Sequence, residues 1–401
     1  MSAAILTIGD ELLRGDIQNT NSTWLCEQIS LLGVPVGESV VVSDDIDTIA
    51  TTLRRLSESH SVIVSTGGLG PTTDDLTAAA AAEALGVPLR RDTRSVERIE
   101  SWLSAAGRQC SESNRSQADF PEGATVLDND WGTAPGFSVH LGRATIFFYP
   151  GVPREMKPMF ERDVPPVLVH NATLRVAHVK LKTFGAPESA VGDMLQGIEE
   201  EFDVAVGYRA HFPEIEVRAV ARREDIEDAR QASQAAASAI AARLGPLVYE
   251  QGDRSMPEVV GDLLRSRGMS LGLAESCTGG LVAEMIARYP ASDYFKGGVV
   301  SYDNSVKQQV LGVEPEVLEL QGAVSEAAVR QMAEGIRRVV GSDVGLSLSG
   351  IAGPTGGSDE KPVGLVHYAV STPSATVARS EVFRGNRNRI QLRAAYAGLN
   401  L

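Results

Sequence analysis

Ser276, Cys277 and Thr278 stand where the apolar run Leu271-Gly-Leu-Ala-Glu275 gives way to Gly279, Gly280 and a helical pattern. Backbone amides at a helix start lack intrahelical partners, so they can hold an anion or a developing oxyanion beside these side chains. Capping of the helix by Ser276 or Thr278 accounts for the same residues without catalysis. Two further segments favour chemistry. Tyr302-Asp-Asn-Ser-Val-Lys307 puts a lysine beyond a strand, and Ser349-Gly-Ile-Ala-Gly-Pro-Thr-Gly-Gly357 ends another strand in a glycine-rich, hydroxyl-bearing loop. Strand ends of this type converge on one crevice in open α/β sheets; capping alone predicts no convergence. A serine hydroxyl needs a base to take its proton, and lysine serves on unrelated folds when it is uncharged. Its pKa must then fall several units, at about 1.4 kcal/mol each, through burial or a nearby cation. Cys277 competes as nucleophile, since a thiol at a helix start ionises more readily; its base would be His367, the one histidine after residue 252.

In the amino-terminal part, Thr66-Gly-Gly-Leu-Gly-Pro-Thr-Thr-Asp-Asp-Leu-Thr77 follows an apolar strand and opens an alanine-rich helix. That order is a phosphate cradle, and Asp74 and Asp75 add hard oxygen ligands for a divalent cation bridging to phosphates. A cap by Thr73 or Asp74 is the plainer alternative.

Positioning these residues takes several layers. Ala3 to Ile8 and Ser61 to Ser65 are strand-like and alternate with helical spacing at Asn21 to Leu32 and Leu76 to Leu85, which predicts a mostly parallel sheet covered by helices. After Pro165 and Pro166 the pattern becomes β-α-β-β-α-β, a small α+β module, and a turn-rich linker at Gln251 to Pro257 leads to a second α/β layer structure. Three domains are expected: 1–165, 166–252 and 253–401. The formal charge is −15 and no basic run exceeds Arg90 and Arg91, which argues against nucleic acid. With no apolar run of about 18 residues and no signal-peptide pattern, no membrane partner and a cytoplasmic location are expected. Cys26, Cys110 and Cys277 show neither metal-ligand spacing nor a disulfide framework.

The three carboxy-terminal segments, with Gly322-Ala-Val-Ser325 and Lys361-Pro-Val-Gly364, resemble the CinA family across the whole domain. The glycine-rich stretch, with Gly9-Asp-Glu-Leu-Leu13, Thr20-Asn21 and Pro150-Gly-Val-Pro-Arg-Glu-Met156, resembles that family's amino-terminal domain. The resemblance implies an α/β protein: a molybdopterin-binding-like domain and a CinA carboxy-terminal domain joined by a KH-like α+β domain. It implies deamidation of nicotinamide mononucleotide, with Ser276 as nucleophile, Lys307 as general base, Tyr302 beside the base and Ser349 supporting the dyad. Cys277, Thr278, Gly279, Gly280, Gly353 and Arg387 would bind that substrate, Arg387 through its phosphate, without any cofactor. For the amino-terminal half it implies hydrolysis of ADP-ribose to AMP and ribose 5-phosphate. Gly67, Gly68, Gly70, Thr72 and Asn21 would bind that substrate, and Asp75, with Asp74, Glu11 and Asp44, would hold Mg²⁺ or a transition metal. Binding of a pterin or nucleotide without turnover is the alternative there, and a non-catalytic competence factor the alternative for the whole. Two positions depart from the family pattern: Ser349 stands where threonine is usual, and Gln391 where a second arginine is usual. The middle module lacks the Gly-x-x-Gly loop that grips a nucleic-acid backbone, so it reads as a spacer and homodimerisation element. Glu188 in its first helix reaches the amino-terminal site or simply favours the helix dipole.

Overall fold

The computed structural model describes residues 2–171 and 174–401. They form two compact units, 1–177 with 221–231, and 178–220 with 232–401. In the first, β1 (Ala3–Ile8) is buried at every position, as befits a strand covered on both faces. It lies between β2 (Val36–Val42) and β3 (Val62–Thr66), parallel to both. Two short strands, β4 (Leu89–Arg91) and β5 (Asp119–Pro121), pair apart from this sheet. The main sheet continues through β6 (Thr125–Leu127), β7 (Gly136–Leu141) and β8 (Ala144–Tyr149) in the order β2-β1-β3-β8-β7-β6. β8 runs parallel to β3, whereas β7 and β6 turn antiparallel. The helix Ile46–Ser59 starts because Asp45 accepts the Thr48 amide, and it buries Ile49, Leu53 and Leu56 at helical spacing.

The middle module has strands β9 (Arg175–Thr183), β10 (Ala205–His211), β11 (Glu214–Arg223) and β12 (Val248–Gln251), in the sheet order β10-β11-β9-β12. Helices Glu188–Met194, Ile198–Phe202 and Ile226–Leu244 complete the β-α-β-β-α-β order read from the sequence, with the first helix broken in two.

The carboxy-terminal sheet contains β13 (Leu271–Glu275), β14 (Phe295–Val300), β15 (Val344–Gly350), β16 (Leu365–Ser371) and β17 (Thr376–Val382), ordered β14-β13-β15-β16-β17. β13, β14 and β15 are parallel, so their carboxyl ends share one edge; β16 and β17 are antiparallel. The helix Glu326–Val340 is capped by Ser325 and packs Val329, Met332 and Ile336 onto this sheet. It comes so close that a Cβ at Gly345 would stand 2.1 Å from the Ala333 carbonyl oxygen, so only glycine fits there. No helix among the described residues is long and apolar enough to cross a membrane.

Candidate active site

Ser276 follows β13, the middle one of the three parallel strands, and is flanked by the ends of both neighbours. Its amide donates to Leu348 O of β15 at 2.9 Å, and Glu275 O accepts the Ser301 amide, just past β14, at 2.7 Å. The three strand ends expected to converge therefore do so. The Ser276 side chain is nearly buried, at 9% exposure.

Lys307 sits on a short helix, Asn304–Gln309, rather than directly after the strand. It is buried, and Nζ donates to Ser301 O at 2.7 Å and Tyr302 O at 3.3 Å. It makes no hydrogen bond to Ser276 in this structure; Ser301, which accepts from the lysine, donates its own amide to the carbonyl of Glu275, the residue before Ser276. Burial pushes the lysine pKa down, against the opposing pull of Asp303. An uncharged amine has two N–H bonds and one lone pair; two accepting carbonyls use both hydrogens and leave the lone pair as the free valence. Tyr302 neighbours the base through its carbonyl alone, because its ring is exposed and its hydroxyl accepts from Arg387 Nη2 at 2.8 Å. Ser349 is buried and gives its hydroxyl hydrogen to Ala323 O at 2.7 Å, which fastens the 322–325 turn. Lys361 holds the same turn from the other side, through Val324 O at 2.8 Å. Arg387 also donates to Gly353 O at 2.8 Å, so it bridges the loops after β14 and β15.

Two readings of the 276–280 segment are corrected. Neither the Ser276 nor the Thr278 side chain caps the helix Leu281–Ala287, and the anion at the start of that helix is one of the protein's own side chains. The carboxylate of Glu275, itself buried, accepts the amides of Gly280, Val282 and Ala283 at 3.1, 3.1 and 2.8 Å. The sequence held a signal for this role, an acidic residue closing a strand otherwise buried and apolar. Gly279 and Gly280 adopt left-handed backbone, at φ 65° and 99°. Cys277 is also no thiolate: burial pushes its pKa up to about 12, although the amides of Cys277 and Thr278 draw it down. The buried Thr278 hydroxyl has no partner. Gln391, at the position that departs from the family pattern, donates to Cys277 O at 2.7 Å and ties the serine loop to the terminal helix.

In the amino-terminal unit a cleft of about 470 Å³ gathers Glu11, Asn21, Asp44, Gly67, Gly68, Gly70, Asp74 and Asp75. Gly67, at φ 111°, abuts Ile8, where a Cβ would stand 2.1 Å from the carbonyl oxygen. Asn21 Nδ2 joins the ends of β3 and β8 through Thr66 Oγ1 at 3.2 Å and Gly151 O at 2.7 Å, while its Oδ1 is buried without a donor. Gln117 Oε1 is a second unpaired buried acceptor in this cleft, one that sequence reading missed. Asp75 is committed to the loop: Oδ1 accepts Gly70 N at 2.7 Å, and Oδ2 accepts Thr72 N at 2.8 Å and Thr72 Oγ1 at 2.5 Å. Thr72 thus orders the loop through Asp75. Asp44 has a raised pKa from burial, reinforced by the charges of Asp10, Glu11 and Asp74 and opposed by the Asp10 amide. Even so, among the described residues no three His, Cys, Asp or Glu side chains form a group that could hold a metal. In this structure the set Asp75, Asp74, Glu11 and Asp44 therefore does not form a cation site, because its chief member is spent on two loop amides and the Thr72 hydroxyl.

Residues 253–401 match the family model of the CinA C-terminal domain, 178–249 that of the damage-inducible protein CinA KH domain, and 4–170 that described as "Probable molybdopterin binding domain". A CinA-like protein of Anaeromyxobacter sp. (strain K) is 40% identical, over 100% of this chain and 98% of the relative. The chain belongs to the CinA family. Another CinA-like protein, from Dictyoglomus thermophilum, is 38% identical over 98% of this chain and 96% of its own. A solved structure of a competence damage-inducible protein A from Klebsiella pneumoniae is 33% identical, covering 36% of this chain and 93% of that chain at a TM-score of 0.35. As a CinA-family competence/damage-inducible protein, the chain carries a molybdopterin-binding-like domain ahead of the KH-type and CinA carboxy-terminal domains.

Proposed function

We propose that the carboxy-terminal site hydrolyses the carboxamide of nicotinamide mononucleotide. One observation carries the reading: a buried lysine with a lowered pKa, its two hydrogens engaged by carbonyls, beside the strand end that presents Ser276. In the proposed cycle Lys307 takes the proton from Ser276 Oγ as that oxygen attacks the carboxamide carbon. The same proton passes to the amide nitrogen, the C–N bond breaks and ammonia leaves. Water then attacks the acyl-enzyme, gives its proton to Lys307, and releases nicotinate mononucleotide while Ser276 regains its hydrogen. Arg387, held between Gly353 and Tyr302, offers a guanidinium to the substrate phosphate. No cofactor enters these steps. Incubating the purified protein with nicotinamide mononucleotide and identifying both products tests the reading; absence of ammonia overturns it.

For the amino-terminal cleft the proposal is binding and hydrolysis of ADP-ribose to AMP and ribose 5-phosphate. The glycine loop supports this by its place beside a cleft, and the unpaired acceptors of Asn21 and Gln117 suit the hydroxyl and amino donors of a nucleotide. Incubation with ADP-ribose, with and without Mg²⁺ or a transition metal, decides it. AMP release supports hydrolysis, and binding without AMP under any metal reduces the cleft to a nucleotide- or pterin-binding module. The chain is further proposed to act in the cytoplasm as a homodimer without nucleic acid, in keeping with its charge of −15; light scattering and a DNA-binding titration check these points.

A further inference from the structure

The terminal helix Arg387–Leu399 has two working faces. On one, Arg387 and Gln391, four residues apart, reach the catalytic segments through Gly353 O, Tyr302 Oη and Cys277 O. On the other, Arg389 and Arg393, also four apart, lie over the ring of Phe212, at 4.7 and 5.1 Å from its centroid. Three residues further along, Tyr396 packs on Phe184 at a ring separation of 5.5 Å, and burial together with the charge of Glu214 raises the pKa of its phenol. Phe212 lies in the turn between β10 and β11 of the KH-type module, and Glu214 is the first residue of β11. Phe212 is 36% exposed, too open to be a core residue of its own sheet. Its ring is instead committed to two arginines that the helix carries.

We propose that Phe212 is a positioning residue for the carboxy-terminal site: by gripping Arg389 and Arg393 it sets the helix that holds Arg387 and Gln391 in place. This rests on the deamidase reading for its kinetic consequence but not for its structural one. The KH-type module is on this account a brace for the catalytic helix, which gives its hairpin a use that needs no nucleic acid.

The test is Phe212→Ala in the full chain, with Phe212→Trp as the conservative control that keeps a π face. Hydrogen exchange reads the structural half without turnover. Faster exchange is expected at residues 387–392, with 326–340 unchanged and with restoration by Phe212→Trp. Unchanged exchange at 387–392, or loosening across the whole unit, overturns the proposal. The kinetic half expects KM for nicotinamide mononucleotide to rise about three- to tenfold with kcat within about twofold, because Arg387 serves binding. In an Arg387→Met background the Phe212→Ala effect on KM should vanish, since the two act through one route. An equal KM rise in both backgrounds overturns the proposal, as does faster exchange with unchanged KM. If the wild-type protein releases no ammonia, the deamidase reading fails separately and the exchange result alone decides for or against the brace.

Discussion

Replacing Glu275 by alanine would remove the group that starts the helix Leu281–Ala287, and the structure sets the size of the loss. The Val282 amide is buried, so losing its acceptor costs about 1 to 3 kcal/mol. The Gly280 and Ala283 amides are partly buried and can turn to water, at about 1 kcal/mol each. The favourable interaction of the carboxylate with the helix dipole adds up to about 2 kcal/mol where it is shielded from solvent. Since these contributions overlap, about 3 to 5 kcal/mol is expected for Glu275→Ala, and about half for Glu275→Gln, which keeps the shape and one carbonyl oxygen. At about 2 to 4 °C per kcal/mol, calorimetry should show the transition containing the carboxy-terminal domain lowered by about 10 °C in the alanine variant. A fall of less than about 2 °C, or a glutamine variant as damaged as the alanine one, would refute the assignment of Glu275 as a charged cap.

Other consequences are quicker to check. Cys277, with a thiol pushed up to about 12, should resist iodoacetamide at pH 8 in the folded protein, and Cys277→Ala should keep ammonia release within about threefold of wild type; loss of activity beyond about 100-fold would make the sulfur a catalytic group. Because the Lys307 pKa is lowered from 10.5 and the uncharged amine is the working form, kcat should rise with pH along a limb centred below 10.5. The same shift makes the lysine's contribution to stability fullest above 10.5 and lost as pH falls through the lowered value; a rate that is flat from pH 6 to 10 counts against the base. Asp75→Asn should weaken ADP-ribose binding equally with and without Mg²⁺, because that carboxylate orders Gly70 and Thr72; an effect confined to Mg²⁺ would make Asp75 a ligand after all.

The alternation of strand and helix, and the positions of Ser276 and Lys307 beyond neighbouring strands, were legible because apolar periodicity reports burial directly. The β-α-β-β-α-β order of the middle module was legible for the same reason. What escaped was the competition for hydrogen-bond donors. A helix start looks like an anion site in one dimension; in three, Glu275 folds back and fills it. Asp75 reads as a metal ligand from its chemical type, yet the tight turn at Gly70 to Thr72 already consumes both of its oxygens. Gln391 and Phe212 were invisible because their partners, Cys277 and the pair Arg389 and Arg393, lie in other segments of the chain, and no local spacing records which helix face meets which loop.

Ammonia release from nicotinamide mononucleotide, compared among wild type, Ser276→Ala and Lys307→Met at matched folded protein, bears most directly on the site. The account predicts turnover by the wild-type protein and a loss of at least about 1000-fold in each variant, scaled to the removal of a nucleophile or its base. Deamidation that survives in either variant, or a wild-type protein that leaves the carboxamide intact, would contradict it.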